Sequence, residues 1–266
     1  MGIAEITDDW DAALAALAWH VEAGVDEALG EAPVNRYDLP AEAPRAAPTA
    51  PAQPAAPPAL ADPASSVDAV EAAKAAAAAA QTLDALHEAI AAFPHCELKQ
   101  GARNTVFSDG NPAARVLILG EAPGREEDQA GRPFVGRAGQ LLDRMFAAIG
   151  LSRTSPDAQA ALYITNVLPW RPPGNRDPSP EEIAMMKPFV ERHIALADPR
   201  LIVVMGNTPL ICLTGQRGIM RARGNWTAAL GRPMLPMTHP AYLLRAPEAK
   251  RDAWADLLSL QARLRG

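Results

Sequence analysis

The feature that most constrains this chain is a short apolar run that stops at a glycine and opens into a glycine-rich segment. Residues 115–139 read RVLILGEAPGREEDQAGRPFVGRAG. The four residues from Val116 to Leu119 are all apolar, as in a strand buried on both faces of a parallel sheet. Gly120, Gly124, Gly131, Gly136 and Gly139 then punctuate a stretch that holds Glu121, Glu126, Glu127, Asp128 and Phe134. This predicts a long loop. A helix should follow, with Leu141, Leu142, Met145, Phe146 and Ile149 on one side and Gly150 at its end. In an open α/β sheet, ligands bind where loops leave the C-terminal ends of the strands. The loop has neither a G-K-S/T ending nor G-x-G-x-x-G spacing, and its acids would repel phosphate. A base fits it better than a nucleotide phosphate, with Phe134 as a stacking face.

Three more strand candidates follow at residues 162–167, 201–205 and 234–238, separated by helical patterns. Strands that alternate with helices predict an α/β fold: a central four-stranded parallel sheet flanked by helices on both faces. Ser179-Pro180-Glu181-Glu182 reads as a capping box opening a helix that Pro188 should kink. The last helix, after Pro247, carries Trp254, Leu257, Leu258 and Leu264 as its apolar residues.

The N-terminal third is different. Residues 1–31 form a candidate amphipathic helix with Trp10, Leu14, Leu17, Val21, Val25 and Leu29 at helical spacing. Residues 32–66 form a linker with nine of the 26 prolines between Pro33 and Pro63, too poor in large apolar residues to build a core. Residues 67–266 form the main domain. It should begin with one alanine-rich helical stretch from Ser66 to about Phe93, its residues 75–80 exposed.

Charge follows the same division. Residues 1–91 hold three basic against fifteen acidic residues, a net of −12; the chain as a whole stands at −6, which leaves +6 for residues 92–266. An acidic total therefore hides a basic body, as a partner of nucleic acid needs. Cys96 and Cys212 are the only cysteines, too few for a disulfide framework or a metal-ligand pattern. No apolar run is long enough for a membrane span, and a soluble, cytoplasmic protein is expected.

The run GEAPGREEDQAGRPFVGRAGQLLDRM, with YITNVLPWRPPGNRDPSPEEI and THPAYLLR after it, resembles the family-four uracil-DNA glycosylases over residues 93–262. That resemblance implies base excision repair: uracil flipped out of DNA, its N-glycosidic bond hydrolysed, free uracil released and an abasic site left. Phe134 matches the uracil-stacking phenylalanine, and Asn166 the asparagine that reads N3–H and O4 through one amide. His239 matches the histidine that stabilises the departing anion at O2. Family-one relatives carry an aspartate at the place of Ala122, so Glu121 becomes the candidate for water positioning. Glu127 lies where it could exclude the thymine methyl. Tyr242, Leu243, Leu244 and Arg245 resemble the segment that wedges into the space left by the flipped base. Asn175 and Arg176, in the stiff turn after Pro172-Pro173, are candidate phosphate contacts.

The same resemblance implies an iron–sulfur cluster on four cysteines. Phe93, Cys96, Trp170 and Met186 stand at those places, so no cluster, and no other metal or cofactor, is expected. The three large apolar residues should instead pack around Cys96. Uracil-containing DNA is the expected partner of a monomer. The N-terminal helix suits either a protein partner or its own domain. A non-catalytic uracil or abasic-site binder, and a nucleotide-binding α/β enzyme, stay as alternatives at this point.

Overall fold

The computed structural model describes residues 63–265. The amphipathic N-terminal helix and most of the proline-rich linker lie outside the described residues. The sheet has four parallel strands at its centre: β2 (Val116–Gly120), β3 (Leu162–Asn166), β4 (Leu201–Met205) and β6 (Arg232–Met237). They run in the spatial order β3-β2-β4-β6. The expected parallel core is therefore present, but the sheet is six-stranded and mixed. Antiparallel β1 (Ser108–Gly110) pairs with β3 at one edge, and antiparallel β5 (Thr227–Ala229) with β6 at the other. Three residues each, without an apolar alternation, gave these two edges no strand signal.

Every residue of β2, β3 and β4 is buried, as the apolar runs of β2 and β4 require; in β3 the buried polar groups of Tyr163 and Thr165 pair with His193 and the Phe107 carbonyl. Successive side chains serve opposite faces. Leu117, Leu119, Ile202 and Val204 join one core with Leu86, Ile90, Phe189 and Ile194. Val116, Ile118 and Val203 join the other with Leu142, Phe146, Leu257 and Leu260. The first core is covered by α1 (Pro63–Ala79), α2 (Leu83–Ala92), the short α3 (Leu98–Gly101), α6 (Pro180–Ala197), α7 (Asn207–Thr214) and the short α8 (Ile219–Ala222). The second is covered by α5 (Arg137–Ala147) and α10 (Lys250–Arg265). Burying one such side chain contributes about 1.5–3 kcal/mol.

Several local expectations are corrected. The alanine-rich stretch is two helices, because Thr82 caps α2 by accepting from the Ala85 N–H at 3.1 Å. The run 75–80 is exposed only on one side: Ala75, Ala78 and Ala79 face out, while Ala77 and Ala80, with Ala73 before them, are buried in the first core, where small side chains let α1 lie close against α6. The glycine-rich loop contains a short helix, α4 (Arg125–Ala130), ended by Gly131 at φ 68°. On α10, Trp254 and Leu258 are exposed, while Leu257 and Leu260 make the core contact. The capping box at Ser179 forms as expected, and Pro188 sits inside α6, which continues to Ala197.

Candidate active site

The site lies at the C-terminal ends of β2 and β3. Gly120 and Asn166 are direct neighbours across the parallel register. A Cβ on Gly120 would fall 2.3 Å from Asn166 Oδ1 and 2.5 Å from the Phe134 ring, so only glycine lets these two side chains cross the strand end. Asn166 is buried, and its Oδ1 has no hydrogen-bond partner among the described residues. Leaving a buried acceptor unpaired costs about 1–3 kcal/mol, and its persistence marks a place for a ligand donor.

Phe134 is also buried, with its ring centroid 5.3 Å from the His239 imidazole at an interplanar angle of 31°. The ring stands in the site because its own backbone takes a positive φ of 54°. Glu127 helps to hold it there. One carboxylate oxygen accepts from the N–H groups of Val135 and Gly136 at 3.0 and 2.8 Å, the other from Gly124 at 3.1 Å. Glu127 therefore spends its acceptors on the loop backbone, a role that the reading of it as a methyl-excluding carboxylate did not include.

His239 precedes α9 (Pro240–Arg245), and its Nδ1 accepts from the Ala241 N–H at 3.2 Å. That bond needs an unprotonated Nδ1 and leaves the proton on Nε2, free to donate. Burial drives the His239 pKa down to about 4; the Arg245 charge adds to this and Glu127 opposes it. The ring is neutral at pH 7. Glu121, just beyond Gly120, accepts from the Thr208 hydroxyl at 2.5 Å. Burial raises its pKa above the usual carboxylate value, Thr208 pulls the other way, and Asp177 raises it further. Ala122 is partly buried against the first core.

Beside these residues runs an open groove of about 730 Å³ whose lining includes Arg125, Glu126, Arg137, Asn175, Leu244 and Arg245. Its three arginines are exposed, as contacts for a phosphate backbone need to be. Two expectations change here. Leu243 is fully buried with Leu141 and Ala253, so it anchors α9 and does not wedge; Tyr242 and Leu244 are only partly buried. Arg176 is held by Glu182 in a two-pronged ion pair at 2.6 and 2.9 Å. It thus braces the α6 cap, and Asn175 accepts from Arg171 at 2.8 Å. The sequence signal for the Arg176 pair was Glu182 itself, six residues on. Thr208 and Arg153, which also touch this region, carried no motif of their own.

The model of the uracil DNA glycosylase superfamily matches residues 107–258. A type-4 uracil-DNA glycosylase of Archaeoglobus fulgidus is 43% identical over 187 residues, 66% of this chain and 90% of the relative. One of Thermotoga maritima is 38% identical over 170 residues, covering 62% and 84%. A third, of Pyrobaculum aerophilum, is 35% identical over 190 residues, covering 66% and 91%.

Proposed function

The chain belongs to the uracil DNA glycosylase superfamily, and on that premise we propose how its own residues excise uracil from DNA. It is an enzyme of DNA repair that hydrolyses the N-glycosidic bond of deoxyuridine, in keeping with relatives named type-4 uracil-DNA glycosylases. The observation that carries the assignment of residues is the buried, unpaired Asn166 Oδ1, which shares the space over Gly120 with the Phe134 ring. Uracil flipped from the stack rests on Phe134. Its N3–H donates to Asn166 Oδ1, and its O4 accepts from Nδ2. Cytosine offers the opposite polarity at both atoms and is refused.

Cleavage leaves both bonding electrons on uracil. The anion's O2 accepts from His239 Nε2–H, a donor preorganised by the Ala241 bond. Glu121 orients the water whose oxygen bonds to C1′ as the oxocarbenium-like centre forms; the proton this water sheds is balanced by the one the uracil anion takes up as it leaves as neutral uracil, and Ala122 has no group for positioning water. Arg125, Arg137 and Arg245, with Asn175, contact phosphates along the groove, and Tyr242 and Leu244 fill the gap in the stack. The protein acts as a monomer. The test is an oligonucleotide with a single uracil: free uracil and an abasic site should appear with multiple turnovers. Tight binding without release of uracil would favour a damage-binding protein instead.

Family-four relatives usually carry an iron–sulfur cluster, and the residues here do not fit one. Phe93, Cys96, Trp170 and Met186 all lie in one core, each at most 3% exposed, and Phe93 meets Phe189 edge-on at 5.1 Å. Burial raises the Cys96 thiol pKa, which disfavours the thiolate that iron requires. Packing takes the place of the cluster in this chain. Purified protein should be colourless and free of iron, and should keep full activity after chelation. Iron near about four atoms per chain, lost together with activity, would refute this.

A further inference from the structure

Phe134 is a bulky residue in the left-handed backbone region, a conformation that persists only where its surroundings enforce it. Glu127 grips the amides on its C-terminal side. On the carbonyl side the grip comes from Arg153, in the connection between α5 and β3. Its Nη1 donates to the Pro133 carbonyl and its Nη2 to the Phe134 carbonyl, both at 2.9 Å. The side chain is 8% exposed. Nη1 also lies 3.0 Å from Asp109 on β1, and Nε donates to Asp143 on α5 at 2.8 Å. One guanidinium thus ties the sheet edge, a helix and both peptide planes that flank the Phe134 Cα. Gly139 closes the space below, since a Cβ there would meet the Phe134 carbonyl oxygen at 1.8 Å.

We propose that Arg153 is a positioning residue for base excision, locking the Phe134 ring over Gly120 so that the flipped base meets a fixed stacking face. Its counterpart is Glu127: a cation holds the carbonyls and an anion holds the amides, so the turn can rotate in neither direction. Lysine cannot substitute, because an ammonium lacks the planar fork that reaches two carbonyls and two carboxylates together. The proposal rests on the reading of Phe134 as the stacking residue.

The experiment is single-turnover excision from a single-uracil oligonucleotide by R153K, R153Q, F134A and the two double variants, with a melting temperature for each. R153K keeps a charge beside Asp109 and should stay folded, yet excise about tenfold or more slowly, as a loosened reacting geometry does. In the F134A background the same change should cost less than about twofold, because Arg153 acts through that ring. D143N, which removes only the outer ion pair, should leave the rate unchanged. Wild-type rates in R153K, or the same fractional loss in both backgrounds, overturn the proposal; a lowered melting temperature without a rate loss does so too. A wild-type rate in F134A overturns instead the stacking reading beneath it.

Discussion

Replacing His239 by alanine is expected to slow excision by about 100- to 1,000-fold, the usual loss when one donor to a developing anion is removed. Binding of uracil-containing DNA should change by less than about threefold, because the neutral O2 of bound uracil takes less from the donor than the departing anion does. Single-turnover rates and equilibrium binding measured on the same oligonucleotide separate the two. Equal losses in both would make His239 a structural residue. The pH profile carries the same point. The His239 pKa is pushed down to about 4, so the ring stays neutral through the range where an ordinary histidine titrates. The rate should show no step near pH 6.5. Stability behaves oppositely: the unfolded chain binds a proton near pH 6.5 and the folded one does not. The contribution from keeping His239 neutral is full above that value and is lost as the pH falls toward 4. His193, buried and pushed down to about 3, adds a loss of the same sign.

Asn166→Asp is the second large effect. The amide supplies an acceptor and a donor; a carboxylate keeps the first and turns the second into a charge facing O4. A good paired contact to a base edge is worth about 1–3 kcal/mol, roughly 5- to 150-fold, and the added repulsion should carry the loss to the upper end or beyond. Uracil-over-cytosine selectivity should collapse by a similar factor. Competition between oligonucleotides carrying each base gives the measurement, and unchanged selectivity in this variant would remove Asn166 from base reading.

The difference between what could be read in the sequence and what could not has a physical basis. Four apolar runs ending at small or polar residues announced the parallel core, because burial on both faces leaves an unbroken signature. Asn166 and His239 were legible as candidates because each ends or directly follows a strand run, and Phe134 because an aromatic in a glycine-rich loop suits stacking; the structure brings the three side chains together. The short edge strands escaped because three residues carry no period. Leu243 escaped because six residues of helix do not show which side faces inward. The loop-holding role of Glu127, and Arg153 altogether, escaped for a deeper reason: their work is done on backbone amides and carbonyls, which every residue possesses and no motif reveals.

The two short antiparallel strands at the margins of the sheet bear on how copies of this protein meet. A four-stranded parallel sheet left bare would present two outer strands with open N–H and C=O groups, an invitation to strand exchange and aggregation. β1 and β5 occupy those margins instead. Each offers a neighbour only three residues. Gly110 leaves the line at φ 97°, and Leu230 and Gly231 turn the chain back at φ 50° and 74°. Crowding in concentrated solution then finds no flat ribbon to extend, and the sheet ends where it stands.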